Sequence, residues 1–269
     1  MGVVTTAVHN FARDLACAKF TADDFVHSEG LVEKIASGLQ QSKILHLHGP
    51  WNGIETLRLW ENLMRTLGEL SYEEEDSDSG AIADGSNIWS DVSYRAELQH
   101  TFRHSCTAQP LHTDGAYGLE PNEVVALICE SSALSGGETI FATAANVADL
   151  ALHVDPGFFR DLFAIPLPYG KAGTPGRTTP FFTRRGDDLL VNWNYYRVLK
   201  EQSPEVRHFA ERVHRFLEDE VVAKGRVTPV MLAPGDAVVF DDQRVLHGRA
   251  AFAPGPRRLW KCILTRRIR

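Results

Sequence analysis

In the segment AQPLHTDGAYGLE (108–120), an imidazole and a carboxylate, His112 and Asp114, stand two residues apart. Such a pair can hold a metal ion between them. The spacing alone carries little: eleven histidines and seventeen aspartates in 269 residues give about 0.7 His-x-Asp matches by chance. A second match, His153-Val154-Asp155, is indeed present. On a strand, residues i and i+2 project from one face, so His112 and Asp114 are expected to point into one cavity. A non-haem iron(II) centre needs two histidines and one carboxylate on one face of the octahedron, with the other positions open. The candidate third ligand is His247, at the end of the alternating run in FDDQRVLHGRAAF.

The elements around these residues are mostly short strands. EVVALICES is a strongly apolar strand, SGG a turn, and ETIFATAANV the next element. TPVMLAPGDAVVFDDQRVLHGRAAF reads as two or three short strands joined at a Pro-Gly-Asp turn, and RRLWKCILTRR as a terminal strand. Toward the N-terminus, TADDFVHSEGLVEKIASGLQQS has helical periodicity with Asp23 or Ser28 as cap, and KILHLHGPW alternates like a strand. IETLRLWENLMRTLGEL is a second amphipathic helix. SPEVRHFAERVHRFLEDEVVAKG is a helical insert near 200–225, with Ser203 as N-cap, Pro204 at the first helical position and Gly225 beyond the end. Acidic, Gly/Ser-rich SYEEEDSDSGAIADGS reads as an exposed loop, a lid near 72–90. Mainly β with flanking helices, in one domain over 1–269, the pattern predicts an α+β chain built on a β-sandwich or jelly roll.

Composition removes several classes. A net charge of −7 argues against nucleic acid as the main partner. No apolar run approaches the roughly 18–20 residues of a membrane span, and no signal-peptide pattern opens the chain, so a cytoplasmic protein is expected. Met1-Gly2 with Thr5 and Thr6 is too weak an echo of a myristoylation signal to count. Cys17, Cys106, Cys129 and Cys262 form no CxxC pair and read as reduced thiols.

PLHTDGAY, SGGETIF, APGDAVVFDD and RVLHGRAAF…RRLW, in that order, resemble the taurine dioxygenase/clavaminate synthase-like family of iron(II)- and 2-oxoglutarate-dependent dioxygenases. The likeness runs from about residue 44 to the C-terminus. It implies a double-stranded β-helix (jelly roll), Fe(II), 2-oxoglutarate as co-substrate and O2 as oxidant. His112, Asp114 and His247 match the family's metal triad. The arginine eleven residues after the distal histidine, which holds the distal carboxylate of 2-oxoglutarate, falls on Arg258; the threonine twenty-seven after the first histidine falls on Thr139. Arg257 is the competitor, since neighbouring strand residues face opposite sides.

The resemblance implies hydroxylation by default, with desaturation, epoxidation and ring closure sharing its first steps, and release of succinate and CO2. Related halogenases carry a small residue where Asp114 stands, so the carboxylate argues for oxygenation. Relatives that oxidise sulfonates place a second arginine four residues after the co-substrate arginine. Counted from Arg258 that is Cys262, which offers no charged fork, so an alkyl sulfonate is not expected. Tyr117, Trp89, Asn194 and Arg249 are the candidate substrate contacts; the pocket carries few obvious fixed charges, so a small amino-acid-like or natural-product intermediate is the expected substrate, free or tethered to a carrier protein. The competing classes are a metal-binding jelly roll without oxygen chemistry and a catalytically silent small-molecule binder.

The remaining motifs read more plainly. Asp155 precedes Pro156 and GFFRDLF and is expected to cap a short helix. His46 and His48 share a strand face and read as edge or core histidines. Glu73–Glu75, Asp76 and Asp78 read as a solvated loop, with attraction of a cationic substrate as the sharper reading.

Overall fold

Alternating side chains sort most of the strands into two stacked sheets, with two antiparallel pairs outside them, β8 (Pro166–Tyr169) with β9 (Arg177–Pro180) and β10 (Phe182–Arg185) with β11 (Asp188–Val191). The computed structural model describes residues 15–19, 28–49, 53–71, 88–120, 122–171 and 175–266. The larger sheet holds β1 (Leu15–Lys19), β2 (Ile44–His48), β3 (Gly68–Leu70), β4 (Ser90–Ser93), β6 (Val124–Ser131), β13 (Ala237–Asp241) and β15 (Arg258–Arg266). Its order is β1-β2-β13-β6-β15-β3, with β4 also paired to β15. The smaller sheet runs β12-β7-β14-β5, from Thr228–Val230, Thr139–Thr143, Val245–Arg249 and Gln109–His112. The jelly-roll core expected from the sequence is this pair of sheets.

Three apolar layers follow from the period of two. Val125, Leu127, Cys129, Phe141, Val238 and Phe240 meet between the sheets. Their neighbours Val124, Ala126, Ile128 and Val239 face the other way, onto helices α1 (Ser28–Gln41) and α2 (Ile54–Leu67) through Ile35, Trp60 and Leu63. Behind the smaller sheet, Ile140, Ala142 and Leu246 pack on α3 (Ala144–Val154), α4 (Pro156–Ala164) and α5 (Pro204–Arg215). Each such fully buried aliphatic or phenyl side chain stabilises the fold by about 1.5–3 kcal/mol. The sheet faces are therefore chosen by the hydrophobic pattern.

Two caps occur where the sequence puts them. Ser203 Oγ accepts from Val206 N at the start of α5. Asp155 Oδ1 accepts from Gly157 N and Phe158 N at the start of α4, so His153-Val154-Asp155 is a helix junction. Beyond Arg215 the helix widens into i→i+5 bonding over Phe216–Val222, with Ala223 N donating to Glu218 O at 2.8 Å. Gly225 (φ +64°) follows its end.

Elsewhere the structure departs from the expectation. The helix over IETLRLWENLMRTLGEL stops at Leu67, and Gly68–Leu70 pairs with β15 as a strand. Gly68 permits this: a Cβ there would lie 2.2 Å from Thr265 O. The run ETIFATAANV turns from strand to helix at Ala144, where the Thr143 side chain caps α3. Asp23, the acidic run 73–78 and residues 72–87 of the expected lid lie outside the described residues.

Candidate metal centre and its cavity

His112 ends β5, and β14 runs antiparallel beside it so that His247 is its direct register partner. The two rings sit 4.2 Å apart, centroid to centroid. Asp114 lies just past the strand, in the turn where Gly115 adopts φ +62°. It is the turn, rather than strand alternation, that brings Asp114 back toward the histidines. Its backbone N–H donates to Asp242 Oδ2 at 2.9 Å, which anchors the turn to the residue after β13. Asp114 Oδ1 is 3.7 Å from His112 Nε2, and its Oδ2 is 3.9 Å from His247 Nε2.

The tautomers suit a metal. His112 Nδ1 donates to Pro110 O at 2.9 Å, leaving the Nε2 lone pair facing the cavity. His247 Nδ1 lies 3.3 Å from Asp242 Oδ1 without the alignment of a hydrogen bond, and neither atom has another partner among the described residues. Burial holds both imidazoles neutral, with His112 lowered to about 3, helped by the neighbouring His247, and His247 lowered to about 4. Burial raises the Asp114 carboxyl, but the Lys261 ammonium beside it outweighs this and holds the group below the usual carboxylate range. Burial and the Asp114 charge push Asp242 up. Two neutral imidazoles and one carboxylate on one wall form a donor set that fits a divalent transition metal.

The triad opens into a cavity of about 830 Å³ between the sheets. Thr139, Arg249, Arg257 and Lys261 line it, together with Tyr117 and Asn194. Arg249 and Arg257 are 3% and 5% exposed and share the Phe252 ring, at 5.1 and 5.2 Å from its centroid. Arg249 Nη2 donates to Thr107 O at 2.7 Å, while its Nε and Nη1 have no partner among the described residues. Arg257 Nη2 donates to Gly137 O at 3.4 Å and its Nη1 has no partner among them. Burial lowers each guanidinium to about 10, so both remain charged at neutral pH. Buried cations with unfilled donors, facing a cavity, make an anion site.

Four expectations are corrected here. Arg258 does not face the cavity. On β15 the odd positions Leu259, Lys261 and Ile263 point inward and Trp260, Cys262 and Leu264 point to the helices. Arg258 goes with the second set: its Nη2 bonds Asp91 Oδ2 at 2.9 Å and its guanidinium covers Trp260. Of the two neighbours, Arg257 is the one that lines the cavity. Shifting the arginine by one also shifts the position four residues on, from buried Cys262 to Lys261. Counted from Arg257, that position carries an ammonium 3.1 Å from Asp114 Oδ2.

Trp89 is the third correction; it is buried among the residues under α1 and α2, on the far side of the larger sheet. The fourth is the expected scarcity of fixed charge, since Arg103, Lys171 and Arg197 also line the cavity. Lys171 and Arg197 each lie 5.4 Å from the Tyr117 ring centroid. Asn194 caps a short turn, its side chain accepting from Tyr196 N. Gln109 Nε2, 3.2 Å from His112 Nε2, and Asp242 were not singled out in the sequence; FDDQ offered only adjacent acids.

A jelly roll with two facing histidines and a carboxylate at one end of the sandwich defines a class of metal-dependent enzyme folds. Residues 11–263 match the family described as "Taurine catabolism dioxygenase TauD, TfdA family", and the chain belongs to that family. Mitochondrial trimethyllysine dioxygenase of Gallus gallus is 30% identical over 167 residues, covering 58% of this chain and 40% of that protein. The chain thus spans less than half the length of the curated relatives it matches. Among solved structures, asparagine oxygenase superposes with a TM-score of 0.65 at 13% identity, covering 92% of this chain and 93% of that one. A taurine dioxygenase from Burkholderia xenovorans gives 0.64 at 12% identity, covering 88% and 80%. Among the described residues, no helix is long and apolar enough to cross a membrane.

Proposed function

We propose that this chain is an Fe(II)- and 2-oxoglutarate-dependent oxygenase that hydroxylates a small amino-acid-like substrate bearing a free carboxylate. The observation that carries the reading is the meeting of the His112, Asp114 and His247 ligand atoms, all within 4.8 Å of one another, in a cavity with the unfilled donors of Arg257. The metal would be held by His112 Nε2, His247 Nε2 and an Asp114 oxygen. When bound, iron(II) with 2-oxoglutarate and O2 supplies the oxidising power for C–H hydroxylation, with succinate and CO2 as by-products.

The chain's own residues orient the reactants. Arg257, with the buried Thr139 hydroxyl lining the same cavity, supplies a charged fork and a neutral donor for the distal carboxylate of 2-oxoglutarate. Lys261 keeps Asp114 ionised while the metal is absent, and its ammonium is then available to a substrate carboxylate. Tyr117 and Asn194 supply an aromatic face and an amide to the substrate end of the cavity. Asparagine oxygenase has been solved with Fe(II), a 3-hydroxyasparagine and succinate, which supports a substrate of amino-acid size.

The relative named trimethyllysine dioxygenase suggests a quaternary ammonium substrate. Here the Tyr117 ring already carries Lys171 and Arg197, so those two cations would repel a third. A free acid is favoured over a carrier-bound thioester, which lacks the carboxylate that Lys261 would meet.

The test has two stages. Anaerobic Fe(II) plus 2-oxoglutarate should produce a weak visible charge-transfer band, absent in Asp114→Ala. A panel of free amino acids, their thioesters and trimethyllysine is then scored for oxygen-dependent succinate release above the substrate-free rate. No band from folded protein sinks the oxygenase assignment. Release driven only by thioesters or by trimethyllysine sinks the substrate assignment.

A further inference from the structure

At the opposite edge of the larger sheet lies a second set of metal-ligating side chains. β1 runs parallel to β2 with Cys17 in register with His46, so both side chains and His48, two residues on, leave the same sheet face. One ligand atom from each of Cys17, His46 and His48 lies within 4.8 Å of the other two. A tetrahedral zinc site, with Zn–N near 2.0–2.1 Å and Zn–S near 2.3 Å, needs its donors about 3.3–3.7 Å apart. Binding would draw the three donors together by at most on the order of 1 Å.

The surroundings resemble the support of a metal site. Asp236, in the turn before β13, accepts from His46 Nε2 at 3.0 Å and from His48 Nδ1 at 3.2 Å through the same oxygen. Ala233 N donates to that oxygen as well, at 3.1 Å, which fixes the carboxylate on its own turn. A carboxylate that orients two histidines is the usual outer support of imidazole ligands. The two rings are 4.1 Å apart, so a protonated pair would repel; burial also disfavours the charged form of His46. Neutral imidazoles are the ligating form. Cys17 is exposed and His48 partly so, which leaves an entry path and an open fourth position.

We propose that Cys17, His46 and His48, supported by Asp236, form a second metal site for a zinc-type ion, separate from the His112–Asp114–His247 centre. A thiolate with two imidazoles selects this borderline-soft class over magnesium or calcium. Its effect on the fold is local. Among the described residues β1 is the end strand of its sheet and pairs with β2 alone, so an ion shared by both strands fastens that edge. The proposal does not depend on the oxygenase reading.

The thiolate makes the site separable from the triad, which has no sulfur ligand. Cobalt(II) added to the full-length chain should give a near-ultraviolet thiolate-to-cobalt charge-transfer band. Asp114→Ala should retain the band, while Cys17→Ser and His48→Gln lose it. Zinc should slow iodoacetamide labelling of Cys17 roughly tenfold, read by peptide mass spectrometry, with a chelator restoring the rate. Cys106, the other accessible thiol, serves as the internal control. Circular dichroism of Cys17→Ser checks that its fold is intact. A band that survives Cys17→Ser, or Cys17 labelling unchanged by zinc, overturns the site.

Discussion

Lys261 Nζ lies 3.1 Å from Asp114 Oδ2, so a part-buried ammonium touches the carboxylate of the candidate metal triad. Both side chains are about 15% exposed, and the two histidine Nε2 atoms complete the ring around the acid. The contact ties the charge state of the metal site to the cation that faces the substrate space.

Removing that cation should therefore be felt twice. Lys261→Met is expected to raise the KM for a carboxylate substrate about 10–100-fold, the equivalent of a charged hydrogen bond of roughly 1.5–3 kcal/mol. Lys261→Arg should restore part of it. Steady-state kinetics at saturating 2-oxoglutarate reads the effect, and an unchanged KM in Lys261→Met would remove Lys261 from substrate binding.

Arg257 and Arg258 separate cleanly because they face opposite sides of the larger sheet. Arg257→Met should raise the KM for 2-oxoglutarate by about two orders of magnitude, since a buried fork is lost. Arg258→Met should leave that KM within about twofold and cost stability of about 1 kcal/mol. The loss is small because Arg258 is 38% exposed and Asp91 keeps Arg95 as a partner. The reverse pattern would return the co-substrate role to Arg258.

Acid should destabilise the metal-free protein through the triad histidines. Their folded pKa values, about 3 for His112 and about 4 for His247, lie below the ordinary 6.5. Between these limits the unfolded chain binds protons that the folded one refuses. Stability is thus complete above about pH 6.5 and falls as pH drops toward 4, by at most about 1.4 kcal/mol per pH unit for each histidine. Urea unfolding across pH 7 to 5 should show a shallower slope in His112→Gln/His247→Gln than in the wild type; parallel slopes would refute the assignment.

Gly68→Ala tests the join between α2 and β3. The added Cβ would meet Thr265 O at 2.2 Å and the Leu264 side chain at 2.7 Å, so β3 must move off β15. Overpacking of this kind costs about 1–3 kcal/mol. Thermal unfolding should show a lowered midpoint, whereas Gly30→Ala, with open space around the position, should show none of this steric loss.

What the sequence by itself determined is the set of chemical groups and the fold that carries them. His112, Asp114 and His247, which the fold brings together, were singled out from residue type and strand context, and Thr139 through the family resemblance. The caps at Asp155 and Ser203 were equally plain, because capping is local chemistry. Tertiary structure decided which side of a strand each neighbour faces. Counting residues from His247 selected Arg258, yet Asp91 and Trp260 wait for it on the helix side, while Gly137 and Phe252 receive Arg257. With a side-chain period of two, that single step moved Cys262 into the core and Lys261 into the cavity. Trp89 failed as a substrate contact for the same reason: an aromatic beside a strand serves a core as readily as a pocket, and only packing separates the two. Strand-to-strand register likewise placed Cys17 beside His46, a meeting of residues far apart in the chain that no local pattern encodes.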